Sequence, residues 1–85
     1  MNKKSIFIQQ SNAMTKQDFE LKEGQPFIPL NKLLQILGIA QTGGHAKIII
    51  QNKEVSVNGV IETRIRKKLV IADQIVIGDY LINIK

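Results

Sequence analysis

The 85 residues suffice for one small domain, and 44% apolar with 22% charged is a globular balance rather than a disordered or fibrous one. The absence of Cys excludes disulfide staples, zinc–thiolate sites and thiol catalysis, and a single His excludes a His-pair metal site, so no cofactor or metal is expected. Lys and Arg outnumber Asp and Glu by 12 to 7, a net charge of +5 that favours an anionic partner such as nucleic acid.

Met1-Asn2-Lys3-Lys4 has the charge of a signal-peptide start, but Ile6-Phe7-Ile8 is too short for the apolar core that must follow. The longest strictly apolar run is Ile48-Ile49-Ile50, far below a membrane span. A cytoplasmic location is therefore expected. Residues 1–18 are polar without a clear period and read as a flexible terminus. Ser11-Asn12-Ala13 before Met14 has the form of a remnant of a cleaved expression tag, which would start the natural chain at Met14; a native loose terminus fits equally. Residues 19–85 read as the folded domain. They carry most of the charge: residues 31–85 hold eight Lys or Arg against four Asp or Glu.

Phe19 and Leu21 alternate with charged residues, the pattern of a short strand, and Glu23-Gly24-Gln25-Pro26 is turn chemistry. Leu30, Leu33, Leu34 and Leu37 then form one helical stripe, with Pro29 at its start and Gly38 at its stop. Thr42 is a natural N-cap for a second helix, in which Ala46, Ile49 and Ile50 recur on one face. Gly43 and Gly44 weaken its first turn, so a close backbone approach is expected there. From Val55 the period becomes two. Asn58-Gly59 predicts a type I′ hairpin between Val55–Val57 and Val60–Ile61. Leu69–Ile71, Gln74–Ile77 and Tyr80–Ile84 follow as strands, separated by Ala72-Asp73 and Gly78-Asp79. The expected fold class is α+β: two short helices packed with a small antiparallel sheet of four to five strands.

Two features could carry binding. The run Arg64, Arg66, Lys67 and Lys68 places four cations in five residues, which repel one another until an anion relieves them. Extended, the run would put Arg64 and Arg66 on one face; its bland counterpart is a solvated edge strand kept soluble by charge. The second feature is Thr42-Gly43-Gly44-His45-Ala46-Lys47. A helix start offers free N–H groups and a positive dipole end, and Lys47 adds a cation. The bland counterpart is a turn that uses glycine for sterics. His45 reads as a surface helix residue. No nucleophile, base and orienting group can be assembled, so the chain reads as non-catalytic. Phe7, Phe19, Phe27 and Tyr80 are the only aromatics, too few and scattered for base stacking. Phosphate and shape recognition is the better fit.

The order Leu30-x-x-Leu33-Leu34-x-x-Leu37-Gly38, Thr42-Gly43-Gly44-x-Ala46-Lys47 and Val55-x-Val57-Asn58-Gly59 resembles the alpha-L RNA-binding motif, named from the fourth protein of the small ribosomal subunit. Glu62-Thr63-Arg64-x-Arg66-x-Lys68 and the Gly43-Gly44-x-Ala46-Lys47 form look closer to small stand-alone bacterial proteins of the YbcJ/YaaA type. The resemblance spans about residues 19–84. It implies a helix pair and hairpin shaped as an L that present basic residues to structured RNA, ribosomal or transfer RNA; a monomer is expected. By position it implies an RNA-binding set of Thr42, Gly43, Gly44 and Lys47 at the second helix start, Asn58 in the hairpin turn, Arg64, Arg66, Lys67 and Lys68 as the basic surface, and Lys32 on the first helix. The chain departs from the family at two places. Thr42-Gly43 stands where many alpha-L domains have Ser-Arg, and Ala72-Asp73 stands where Gly-Asp is usual. The alternative is a module that docks on a protein or on the ribosome, its basic face serving solubility.

Overall fold

The computed structural model describes residues 14–85. The tag-remnant reading of Ser11-Asn12-Ala13, and Phe7 with it, lie outside the described residues. Strand β1 spans Thr15–Phe19, β2 Ile28–Pro29, helix α1 Leu30–Ile36 and helix α2 Gly43–Gln51. Strands β3 (Val55–Val57), β4 (Val60–Ile61), β5 (Lys68–Leu69), β6 (Gln74–Ile77) and β7 (Tyr80–Ile84) follow. Five strands form one sheet in the order β1-β7-β6-β3-β4, and β2 and β5 form a separate two-stranded sheet.

Both helices begin and end where the side chains dictate. Pro29 precedes α1 in an extended conformation, and Gly38 follows it at φ +76, with its N–H donating to the Gln35 carbonyl. Leu30, Leu33 and Leu34 are fully buried, and Leu37 packs half-buried at the core's edge. Thr42 caps α2, its Oγ accepting the His45 N–H at 3.0 Å. Ala46, Ile49 and Ile50 point inward against α1. Ile75, Ile77, Ile82, Ile84, Val55 and Val57 supply the sheet's side of the same core. Each fully buried Leu or Ile contributes about 1.5–3 kcal/mol relative to an exposed one, which concentrates stability in this one layer.

The α+β architecture is as expected, with four local corrections. The sheet is mixed, because β1 runs parallel to β7 with Thr15 opposite Tyr80 and Phe19 opposite Ile84. Residues 15–18 are therefore strand and not loose terminus. Their side chains are mostly exposed and polar, so the ladder to β7 holds them rather than an apolar face. Val70 and Ile71 are not strand. The strand there is β5, which pairs Leu69 with Ile28 and Lys68 with Pro29, and the chain then turns with Val70 and Ile71 exposed. Third, residues 62–67 are not an edge strand. They cross as a loop with a turn at Ile65-Arg66, closed by the Lys67 N–H on the Arg64 carbonyl at 3.2 Å. Fourth, Gly43 and Gly44 answer no internal crowding. Neither has a positive φ, and an added Cβ would meet its nearest neighbours at 4.0 and 3.9 Å, ordinary contact.

Candidate nucleic-acid interface

The loop at 62–67 bends because α1 needs it. A helix leaves its first N–H groups without partners, and Pro29 provides no side-chain cap. The Leu30 N–H donates instead to the Lys67 carbonyl at 2.9 Å, and the Asn31 N–H to the Ile65 carbonyl at 3.0 Å. These bonds, with the β2–β5 pair, pin the basic run across the start of α1. Arg64, Arg66 and Lys68 are left exposed and Lys67 half-buried. Lys68 also lies over the ring of the half-buried Phe27, its Nζ 4.9 Å from the centroid.

The start of α2 comes to the same place. An open groove of about 540 Å³ is lined by Asn31, Gly43, Gly44, Lys47, Ile65 and Arg66. A second hollow of about 400 Å³ is lined by Arg64, Arg66, Lys67 and Lys68. Arg66 borders both, so the two hollows adjoin. The first intrahelical bond of α2 runs from the Ala46 N–H to the Thr42 carbonyl, so Gly43 and Gly44 have N–H groups with no intrahelical acceptor. No acidic side chain occupies the first turn of α2. Bare glycine backbone, a helix's positive end and two long cations thus border one concave surface, the combination that suits a phosphate.

Within the hollow Arg64 is held. Its Nε and Nη2 donate to Glu62 Oε2 and Oε1 at 2.9 and 3.0 Å, and its backbone N–H donates to Oε2 at 2.9 Å. Glu62 is the one buried charged residue among those described. The forked hydrogen bonds from Arg64 outweigh the burial and hold its carboxyl down at about 2. The same pairing raises the Arg64 guanidinium further above its already high value.

The structure thus brings Gly43, Gly44, Lys47, Arg64, Arg66, Lys67 and Lys68 to one surface. Thr42 stands beside it as the cap of α2. Lys32 and Asn58 are not in the lining. Lys32 is exposed elsewhere on α1. Asn58 sits in the β3–β4 turn at φ 53, and both polar atoms of its side chain are engaged there. Its Nδ2 donates to Asp73 Oδ1, and its Oδ1 accepts the Gln74 N–H, both at 2.9 Å. His45, also exposed, accepts the Gln41 N–H on Nδ1 at 3.2 Å. Sequence reasoning missed Asn31, Ile65 and Glu62. Asn31 lines the groove, and its Oδ1 is buried with no hydrogen-bond partner among the described residues. No helix among the described residues is long and apolar enough to cross a membrane.

The S4 domain family model matches residues 19–85. The chain belongs to the S4 domain family. YbcJ from E. coli, whose solution structure is described as revealing an alfaL motif involved in RNA binding, is 30% identical. The match covers 94% of this chain and 96% of that one, at a TM-score of 0.61. A comparison with curated proteins gives no match. The S4 match begins at Phe19, the last residue of β1, so nearly all of that strand precedes the matched region. It contains α1, α2, the hairpin and the whole groove.

Proposed function

We propose that this S4-domain chain binds structured RNA, ribosomal or transfer RNA, through phosphate and shape contacts, and that it does so without catalysis. The observation that carries this reading is the convergence of the α2 start and the 64–68 loop on adjoining basic hollows. Phosphates would sit against Gly43, Gly44 and Lys47 and along Arg66, Lys67 and Lys68. Membership of the S4 family and the likeness to YbcJ, described as carrying a motif involved in RNA binding, support it. The binding unit is the single folded domain, working as a monomer in the cytoplasm.

The test is fluorescence anisotropy with a ribosomal RNA hairpin, a single strand and a DNA duplex of equal length across a salt series. The folded RNA should bind best, with a slope of log K against log[salt] of roughly −3 for about four phosphates neutralised. Replacing Arg64, Arg66, Lys67 and Lys68 together by Ala should weaken binding at least tenfold while the circular dichroism spectrum is retained. Unchanged affinity in that variant defeats the site.

A second reading is a docking module. Val60, Ile61, Val70 and Ile71 are all exposed and lie outside both hollows, which favours it. An apolar contact of that kind would give little salt dependence.

A further inference from the structure

We propose that Glu62 is a positioning residue for RNA binding: it grips the Arg64 guanidinium by one edge and thereby aims the opposite end of that group at a phosphate. The inference rests on the RNA-binding reading above and names how one of its cations is presented.

A guanidinium carries five N–H donors in a plane. Glu62 takes Nε and one hydrogen of Nη2, leaving the second Nη2 hydrogen and both on Nη1. The second Nη2 hydrogen and the Nη1 hydrogen parallel to it lie at the far end of the group, where the two form a second fork of the shape that receives two phosphate oxygens, and the last Nη1 hydrogen points to the Cδ side. The two partners differ sharply in exposure. The Arg64 side chain is 71% accessible and that of Glu62 only 11%. The carboxylate is therefore the fixed anchor and the guanidinium the displayed group. Glu62 is itself tied to the sheet, its N–H donating to the Val55 carbonyl at 2.9 Å. Its Oε2 also accepts the Arg64 backbone N–H, so one carboxylate fixes both ends of that residue. A chain of bonds runs from β3 through Glu62 to a planar cation in the hollow shared with Arg66, Lys67 and Lys68. An unrestrained Arg loses rotamer freedom when it meets a phosphate; this one has lost it already.

The opposing account is simple neutralisation. A carboxylate beside a cation lowers the local positive potential, so its removal should tighten binding to any polyanion. The two accounts predict opposite signs for one substitution. Glu62→Gln adds one unit of positive charge and removes the anionic grip.

The experiment measures affinity for a structured RNA hairpin in the full chain and in Glu62→Gln, Arg64→Ala, the double variant and Arg64→Lys, with thermal melts to verify folding. Glu62→Gln should bind about five- to tenfold more weakly, and the double variant no more weakly than Arg64→Ala alone. Arg64→Lys keeps the charge without the fork and should lose nearly as much as Arg64→Ala. It tests the proposal with Glu62 intact if Glu62→Gln fails to fold. Tighter binding by Glu62→Gln, equal losses from it with and without Arg64, or full affinity in Arg64→Lys would each overturn the assignment. Binding by the unaltered chain reports separately on the parent reading, and its absence would end both.

Discussion

A glycine in the first turn of a helix weakens that helix unless something beyond it uses the space. Gly43 and Gly44 open α2, and each could carry a methyl group without a close contact or a forbidden φ. Ala at either position should raise helix stability by about 0.5 kcal/mol. Both Gly→Ala changes together should therefore lift the melting temperature by several degrees, since about 1 kcal/mol shifts a domain of this size by about 4–8 °C. Under the RNA-binding reading the same methyl groups would be added to two residues of the groove lining, and affinity should fall about tenfold. A variant that is more stable and binds RNA as before would show that the glycines have no role in the groove. At this scale sequence and structure part company in an instructive way. Lys47 and Arg66 are legible as free cations, because no neighbouring pattern claims them. Asn31 and Glu62 are not, because an Asn at a helix start reads as local capping and a lone Glu reads as a solvated charge. What distinguishes them is burial, set by residues far along the chain.

The helices and the hairpin are legible because their signals are local. The Leu30, Leu33, Leu34 stripe, the stop at Gly38 and the paired positive φ of Asn58 and Gly59 need no tertiary information. The basic loop is different. Its own residues leave its conformation open, and the carbonyls of Ile65 and Lys67 are drawn to the N–H groups that α1 leaves unpaired. A demand made at residue 30 thus decides the conformation at residue 66. The turn before β6 carries a local conflict. Ala72 sits at φ 81, a region suited to glycine, because Asp73 must stay in place. Asp73 accepts from the Val70 N–H and from Asn58, and the Ala72 N–H donates to the Ile84 carbonyl. Ala72→Gly should relieve strain of about 1–2 kcal/mol and lose part of that gain to the more flexible unfolded chain. A net stabilisation of about 0.5–1 kcal/mol is expected, read as a higher urea midpoint at unchanged slope. A lower midpoint would mean that the turn tolerates Ala without strain.

In the whole molecule the groove and the sheet edge are separable. The groove is built from α1, α2 and the 62–67 loop, with β2 and β5 as its brace. Strand β1 pairs only with β7, at the far side of a sheet whose other edge is β4. Its Phe19 packs at the margin of the core, and Lys85 closes the end of the ladder by donating its N–H to the Phe19 carbonyl at 2.9 Å. Removing residues 1–18 should then cost stability without touching the binding surface. Several ladder bonds at about 0.5–1.5 kcal/mol net each imply a loss of about 2–3 kcal/mol, a drop of at least about 10 °C in melting temperature. The exposed β7 edge, with Ile82 and Ile84 facing the core beneath it, should also make the shortened chain self-associate at high concentration. RNA affinity measured well below the new melting temperature should stay within about twofold of the full chain, because the phosphate contacts that set it are intact. A large loss of affinity in a folded, monomeric truncated chain would show that the N-terminal segment reaches the RNA, and would move part of the binding surface away from the groove.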